Sequence, residues 1–525
     1  MTYLSKITKG FQFLFALFLL YFFFRLLIYH FYLTTFPYSN TYREGALMAT
    51  TDIIQHGIKP YNYLSEPQYT NIYGIIYPLI NLPFVRLFGM NVVVYRAVTA
   101  FFIFASCVVI FLVLKKKKVP LLLNIWALLA LHASLLFPIT STPCADPAST
   151  GLFFMLLCIF IPFLLDYSYT SVFISIFFGV LAFYTKPYFV LGIPLMASYL
   201  FFFVSKSKSI FYGCLSLILF IFNVIIMNHF FPSYFDDCFF IHNNYAAATS
   251  MPTALKRQLD QFLDLNKGPF FLILMFFIYS LYRWFIVNKI TDAPKIFKNL
   301  LTSIQWKGWA TPLIINRLPL VIYAGIYFWL ILVLFLGKHD GANWYFFQLF
   351  SPFLVAFIAG VAGRFTLWPI VFSCLLIYNL FSLTSDDDNR YFKQNLSSWH
   401  DIERIVKSNK SIFNTSLIAP LMIKENKEVY DDGQTEYFIG GGQRKGLMGR
   451  FFPEDKRVDL TETLFLNKIQ AMLEYKKFDF IIVEAGYSSP VMPYNIANSY
   501  KMLASIWVLV PQDRKFFLMT IWSPI

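Results

Sequence analysis

The chain has 525 residues, of which 58% are hydrophobic, 20% aromatic and only 14% charged, and its mean hydropathy is +0.58. Soluble domains carry about 25% charged residues, so this composition excludes a molecule that presents most of its surface to water. The formal net charge of +14 would suggest nucleic acid in a soluble chain, but the basic residues cluster in short segments between apolar runs, which is the pattern of membrane topology.

The sequence opens on MTYLSKITKG and then runs into FLFALFLLYFFF at 13–24, which has no polar face. A helix apolar all round belongs in a membrane. No small-residue cleavage site follows, so the segment is expected to stay as the first span. Further spans are expected near 91–114, 119–139, 150–165, 171–185, 188–204, 209–231, 268–288, 318–337, 345–363 and 366–384, with the first at 11–34. The 171–185 segment is short for about 30 Å of hydrocarbon and is expected to tilt or break near Lys186-Pro187.

Charge orients these spans. Lys6 and Lys9 precede the first, and Lys115, Lys116, Lys117 and Lys118 follow the second. Lys206 and Lys208 follow the sixth. Arg283, Lys289, Lys295, Lys298, Lys307 and Arg317 fill or flank the loop after the eighth, and Arg364 lies between the last two. About eleven spans place all of them, and the N-terminus, on the cytoplasmic side. The opposite side then holds a long first loop (35–90), an acidic loop at 140–149, a loop at 232–267, the turn GKHDGANW at 337–344, and the tail. Loops longer than about 12–15 residues are usually functional or disordered, and the first loop is not low-complexity, which favours function. The six Cys lie between Cys107 and Cys374. Cys144 and Cys238 fall in outer loops, where a bond between them is the alternative to two small packing residues.

Composition changes at TSDDDNR, 384–390. Residues 1–384 are expected to form the membrane domain and 385–525 a small extracytoplasmic α/β domain. Its strands are read at 416–423, 478–485 and 507–511 and a helix at 461–477. The tail has no P-loop and no GxGxxG, and GGGQRKG at 440–446 reads as a flexible loop. No nucleotide cofactor is expected, and the tail is assigned a supporting or acceptor-binding role.

Candidate chemistry gathers on the outer side. Residues 40–61 read as a helix lying at the membrane surface, ended by Gly57 and Pro60. Glu44 there is either a general base or the acidic half of a Thr41-x-x-Glu44 capping box. Asp146, at the mouth of the fourth span, is either a helix-dipole partner or a second functional carboxylate. Lys186 faces the side opposite the basic loops, so it is an anion ligand, for example for a lipid phosphate, or a snorkelling anchor. Lys338, His339 and Tyr345 in GKHDGANWY, with His242 from YFDDCFFIHNNY, could hold a phosphodiester; a polar turn is the plainer reading. Asp236–Asp237 alone is a weak metal signal, and the need for a divalent cation is left open.

The ordered set of these segments resembles the GT-C class of polyprenyl-phosphate-sugar-dependent glycosyltransferases, which includes protein O-mannosyltransferases and aminoarabinose transferases. The landmarks are Glu44 in YREGALMATTDIIQHGIKPY, YGIIYPLINLPFVRLFG at 73–89, Arg96 in VYRAV, Asp146, Thr185-Lys186 and GKHDGANWYFFQLFSP at 337–352. Many members carry an adjacent Asp-Glu pair in the first loop; here Arg43 precedes Glu44. The resemblance implies an inverting transfer from a polyprenyl-phosphate sugar to an acceptor hydroxyl on a glycan, lipid or protein. The expected setting is a bacterial inner membrane. Glu44 would serve as base with Asp146 as its rival, and Lys186, Arg96, His242, Lys338, His339 and Tyr345 would bind substrate. The alternatives are a polyprenyl-linked oligosaccharide polymerase or ligase, for which outer-loop arginines are sparse, and a transporter, for which no repeat is evident.

Overall fold

The computed structural model describes residues 2–64, 66–135, 144–241, 273–279, 320–331, 346–361, 386–435, 456–485, 496–510 and 515–525, with a few isolated positions between them. Helix α1 (Thr2–Thr35) contains the first expected span. Helices α2 (Glu44–Gln55) and α3 (Ile76–Phe88) follow in the first long loop. Then come α4 (Val92–Lys116), α5 (Leu121–Leu135), α6 (Ala148–Leu164) and α7 (Tyr169–Thr185). The next span is built from a tight turn at Pro187–Leu191, α8 (Gly192–Tyr199) and a wide turn at Leu200–Val204, and α9 (Lys206–Phe230) follows. Helices α10 (Leu320–Ile331) and α11 (Phe346–Val361) fall inside two later expected spans. The expected span at 366–384 lies outside the described residues.

Among the described residues, Gln12–Thr35, Val92–Lys116, Pro187–Val204 and Lys206–Phe230 are long and apolar enough to cross a membrane. Their surfaces fit that role. On α1, Phe13, Leu14, Ile28 and Phe31 are 64–68% exposed, while Leu19 and Leu26 pack into the core with Phe102, Val109, Trp126 and Leu129. A helix that leaves large apolar side chains outward along its length has the surface of a lipid- or protein-facing element. Helix ends follow local chemistry. The Asn91 side chain accepts from Val93 N at 3.0 Å to start α4. The expected break before Pro187 is present: α7 stops at Thr185, and Pro187, lacking an N–H, opens the next turn.

Two expectations are corrected. The first-loop helix does not lie open on a surface. Glu44 through Thr51 are buried, because tail residues cover α2: a Cβ on Gly45 would stand 2.7 Å from Ala419 Cβ. The run 416–423 is not a strand. It holds a turn and helix α13 (Ala419–Lys424), preceded by strand β1 (Ile412–Asn414). An apolar run of eight does not separate strand from buried helix by periodicity.

The tail begins with α12 (Asp386–Ser408). After β1 and α13 come α14 (Lys456–Glu474), β2 (Phe480–Glu484), β3 (Tyr500–Val510) and β4 (Lys515–Pro524). The sheet order is β1-β2-β4-β3. Strands β1 and β2 pair in parallel, Phe413 opposite Ile481; β4 pairs antiparallel to both neighbours. One sheet face packs on α14 through Phe413, Phe465, Ile469 and Ile481. Residues from the other, with Trp399 and Ile402 of α12, share a core with Leu47, Tyr77 and Tyr95 of the first long loop and α4. The tail is thus seated on the first long loop.

Candidate functional site

Glu44 opens α2, and nothing of its side chain is exposed. Arg96, on the second turn of α4, meets it with two donors, Nε to Oε1 at 2.7 Å and Nη2 to Oε2 at 2.6 Å. Asn40 N donates to Oε2 at 2.8 Å and Ala145 N to Oε1 at 2.9 Å. A carboxylate offers about four lone-pair sites, and these donors fill them. The capping box read from Thr41 does not form in that register: Glu44 reaches back to Asn40, and Arg43 at the helix cap makes no side-chain capping bond. The rest of the Arg96 guanidinium donates to the Phe36 and Tyr38 carbonyls. Glu44 and Arg96 together tie α2, α4, the end of α1 and the 144–147 loop into one knot.

Asp146 directly follows Ala145, in the turn that starts α6. Its Oδ1 accepts from Ala148 N at 2.7 Å, which meets the helix-terminus expectation. The same oxygen lies 3.5 Å from Lys186 Nζ. Its Oδ2 is buried and has no hydrogen-bond partner. Lys186 follows the last residue of α7, outside the spans on either side, and is buried, so the snorkelling reading is corrected: the ammonium points inward. It sits 4.4 Å from the centre of the Tyr73 ring, a cation–π contact. Burial pushes the Lys186 ammonium down to about 8; Asp146 opposes this and the neighbouring Arg43 adds to it.

Segment 71–75 presses on this pair. Gly74 N donates to Thr185 O at 3.2 Å, and a side chain at Gly74 would collide with the Tyr184 carbonyl. Close approach of two backbones is what requires glycine here. It places Tyr73 over Lys186. Tyr77, the second residue of α3, bonds Thr99 at 2.9 Å and lies within electrostatic reach of both Asp146 and Glu44.

Glu44, Arg96, Asp146 and Lys186 are therefore brought together although 142 residues (186 − 44) separate the first from the last. The expected substrate residues His242, Lys338, His339 and Tyr345 lie outside the described residues. Sequence reasoning passed over Tyr73 and Arg43. Tyr73 was legible only as part of a segment, and Arg43 only as a departure from a paired-carboxylate pattern. Cys144 and Cys238 are not joined in a disulfide. Among the described residues no group of three or more His, Cys, Asp or Glu is placed to hold a metal.

No protein-family model matches the chain, and no curated protein matches it in sequence. Among solved structures it is similar to the crystal structure of ArnT from Cupriavidus metallidurans bound to undecaprenyl phosphate. The identity is 11%, the match covers 95% of this chain and 97% of that one, and the TM-score is 0.49. Identity this low leaves function to be argued from the residues themselves.

Proposed function

We propose that the protein is an inverting membrane glycosyltransferase of GT-C type, which moves a sugar from a polyprenyl-phosphate donor to an acceptor hydroxyl at the extracytoplasmic membrane surface. The observation that carries this reading is the Asp146–Lys186 pair: a buried carboxylate with an unpartnered oxygen beside a buried ammonium, set where spans α6 and α7 end. Such a pair joins the two functions the reaction needs, a base for the acceptor and a cation for the phosphate.

Asp146 takes the role of base. Its Oδ2 accepts the acceptor proton as the hydroxyl oxygen attacks the anomeric carbon. The new bond joins acceptor oxygen to that carbon; the bond that breaks joins it to the phosphate oxygen. The leaving polyprenyl phosphate gathers negative charge, which the Lys186 ammonium stabilises, with Arg43 near enough to add to the field. Attack opposite the leaving group inverts the anomeric centre. Glu44, the first-loop carboxylate, is better placed as a positioning residue: Arg96 and two backbone amides occupy its oxygens, and through Ala145 N it fixes the loop that carries Asp146. The donor's tail stays in hydrocarbon while its sugar meets water, which suits a site at the ends of apolar spans. The acceptor side belongs to the first loop and the tail seated on it.

The test is transfer of labelled sugar from a panel of polyprenyl-phosphate sugars by purified protein in detergent, with membrane extract as acceptor. Transfer that is lost in Asp146→Asn supports the reading. Absence of transfer from every donor by folded protein moves the assignment to a diphosphate-linked polymerase or a transporter.

A further inference from the structure

The first outer loop holds a second buried acidic group that the proposed reaction does not use. Residues 61–64 and 66–74 lie against the turn Ser233–Cys238 that follows α9. Ser233 N donates to Tyr61 O at 3.0 Å, and the Cys238 thiol to Tyr73 O at 3.2 Å. Tyr63 donates its hydroxyl to Asp236. Between these contacts Glu66, 5% exposed, and Asp237, fully buried, face the same serine. Ser233 Oγ bonds Glu66 Oε1, and it lies 3.1 Å from Asp237 Oδ2. The other oxygens, Glu66 Oε2 and Asp237 Oδ1, are buried without a hydrogen-bond partner.

One serine hydroxyl has one proton to give. It satisfies one of two flanking carboxylates, and the other is left facing an oxygen lone pair. The arrangement closes if one carboxyl is itself protonated and donates back to the serine or across to its partner. Among the described residues the ionisable groups around the pair are Asp236, Tyr61, Tyr63, Tyr234 and Cys238, none of them a cation. No ion pair to either carboxylate is found among the described residues. Two ionised carboxylates buried together without a cation cannot persist.

We propose that Glu66 and Asp237 share a single proton across Ser233, and that this proton latches segment 61–74 onto the Ser233–Cys238 turn. The segment ends at Tyr73 and Gly74, which form the wall over Lys186. The latch therefore controls the closure of that wall; only the consequence for transfer rests on the reaction proposed above. Burial raises the proton affinity of both carboxyls; Glu66 raises that of Asp237 further, while the bond from Asp237 offsets part of the rise at Glu66, so the pair titrates as a unit. The sign follows. Below the raised value the proton is held and the latch is closed. As pH rises through it the proton leaves, two negative charges face each other, and the segment opens.

Hydrogen exchange of the full-length protein in detergent, corrected for the intrinsic pH dependence of amide exchange, reads the latch without reference to activity. Peptides covering 61–74 and 233–238 are followed as pH is raised from about 5 to about 10. The wild-type protein should keep its protection at low pH and then lose about tenfold per pH unit, the slope for release of one proton. Glu66→Gln keeps a hydrogen-bonding oxygen for Ser233 and removes one charge, so it should hold its protection across the whole range. Asp237→Asn should do the same and serves as the second variant if the first fails to fold. Flat wild-type protection overturns the proposal. So does a variant that folds and opens at the same pH as wild type. Loss of protection on adding a chelator at constant pH also overturns it, since a bound cation would then be holding the carboxylates together.

Discussion

Two buried carboxylate–cation pairs stand a few residues apart in this protein, and they are built differently. Glu44 and Arg96 meet through two short bonds, and backbone amides fill the remaining acceptor sites. Asp146 and Lys186 meet once, at 3.5 Å, and leave one carboxylate oxygen unpartnered. Burial and pairing are the same in both; saturation is not. A saturated pair can hold structure but has nothing left to offer a substrate. An unsaturated one keeps an acceptor that the fold itself does not use. The comparison explains why the carboxylate most visible in the sequence, Glu44, is the less suited of the two to chemistry.

The sharpest way to break the comparison is to remove one cation. Arg96→Ala leaves Glu44 buried with no counter-charge and frees the Phe36 and Tyr38 carbonyls. Breaking a buried pair from one side costs about 3–5 kcal/mol, so thermal unfolding in detergent should show severe destabilisation or no folded protein. Recovery of Arg96→Ala with wild-type unfolding behaviour would mean that the knot is not structural.

The second pair should respond in the opposite sense. Asp146→Asn keeps an oxygen for Ala148 N and removes the base. The unfolding temperature should fall much less than in Arg96→Ala, because Lys186, already pushed down to about 8 by burial, can lose its proton, a relief not open to the saturated pair. The rate of sugar transfer should fall by about 10²–10⁴, the usual size of a general-base contribution. If the variant unfolds early instead, Asp146 belongs with Glu44 as a structural group, and the contrast between the pairs fails.

How much of this was readable beforehand depended on the range of the interaction. The early spans were legible because hydrophobic length is a local signal. The first seven expected spans all coincide with described helical segments. Helix α3 was not recognised as an element, since 13 residues interrupted by Pro83 are too few to span and too proline-broken to read as an ordinary helix. Strand β4 was missed, and β3 was read only in its last few residues. The site is harder for a different reason. Glu44 and Arg96 are 52 residues apart, and Asp146 and Lys186 are 40 apart. Each residue could be singled out by type and position. Which cation faces which carboxylate, and how completely, is settled by packing of the loop and tail.

A pH profile sharpens the role of Lys186. Its ammonium is held near 8 by burial, so the charged form needed for the leaving phosphate is lost above that point. Transfer should fall by about tenfold per pH unit on the alkaline limb. Arginine stays charged throughout, so Lys186→Arg should move the limb to higher pH even if its turnover is lower. Opening of the Glu66–Asp237 latch would also lower activity in alkali. Repeating the profile in Glu66→Gln separates the two, because only the lysine then titrates. An alkaline limb unchanged by Lys186→Arg, in either background, would remove Lys186 from the reaction.

The smallest effect tests how the tail is tied to the Glu44–Arg96 knot. Tyr38 joins them. Its carbonyl accepts from Arg96 Nη2 at 2.5 Å, its ring stacks on Trp399 of α12 at 5.1 Å and 7°, and its hydroxyl donates to Glu403 Oε2 at 2.7 Å. Lys407 and Lys424 also hold Glu403, at 2.8 and 3.0 Å. Tyr38→Phe therefore removes one bond while the carboxylate keeps its other partners, and should cost about 1 kcal/mol. Tyr38→Ala removes the stacked ring as well and should cost about 3–5 kcal/mol. Both are measured by thermal unfolding, with exchange of α12 amides to show whether the tail lifts. A small loss for phenylalanine and a large one for alanine places the docking energy in the ring. Equal losses would place it in the hydroxyl, and the tail would then be held chiefly by the Glu403 charge cluster, with a salt dependence that ring stacking does not have.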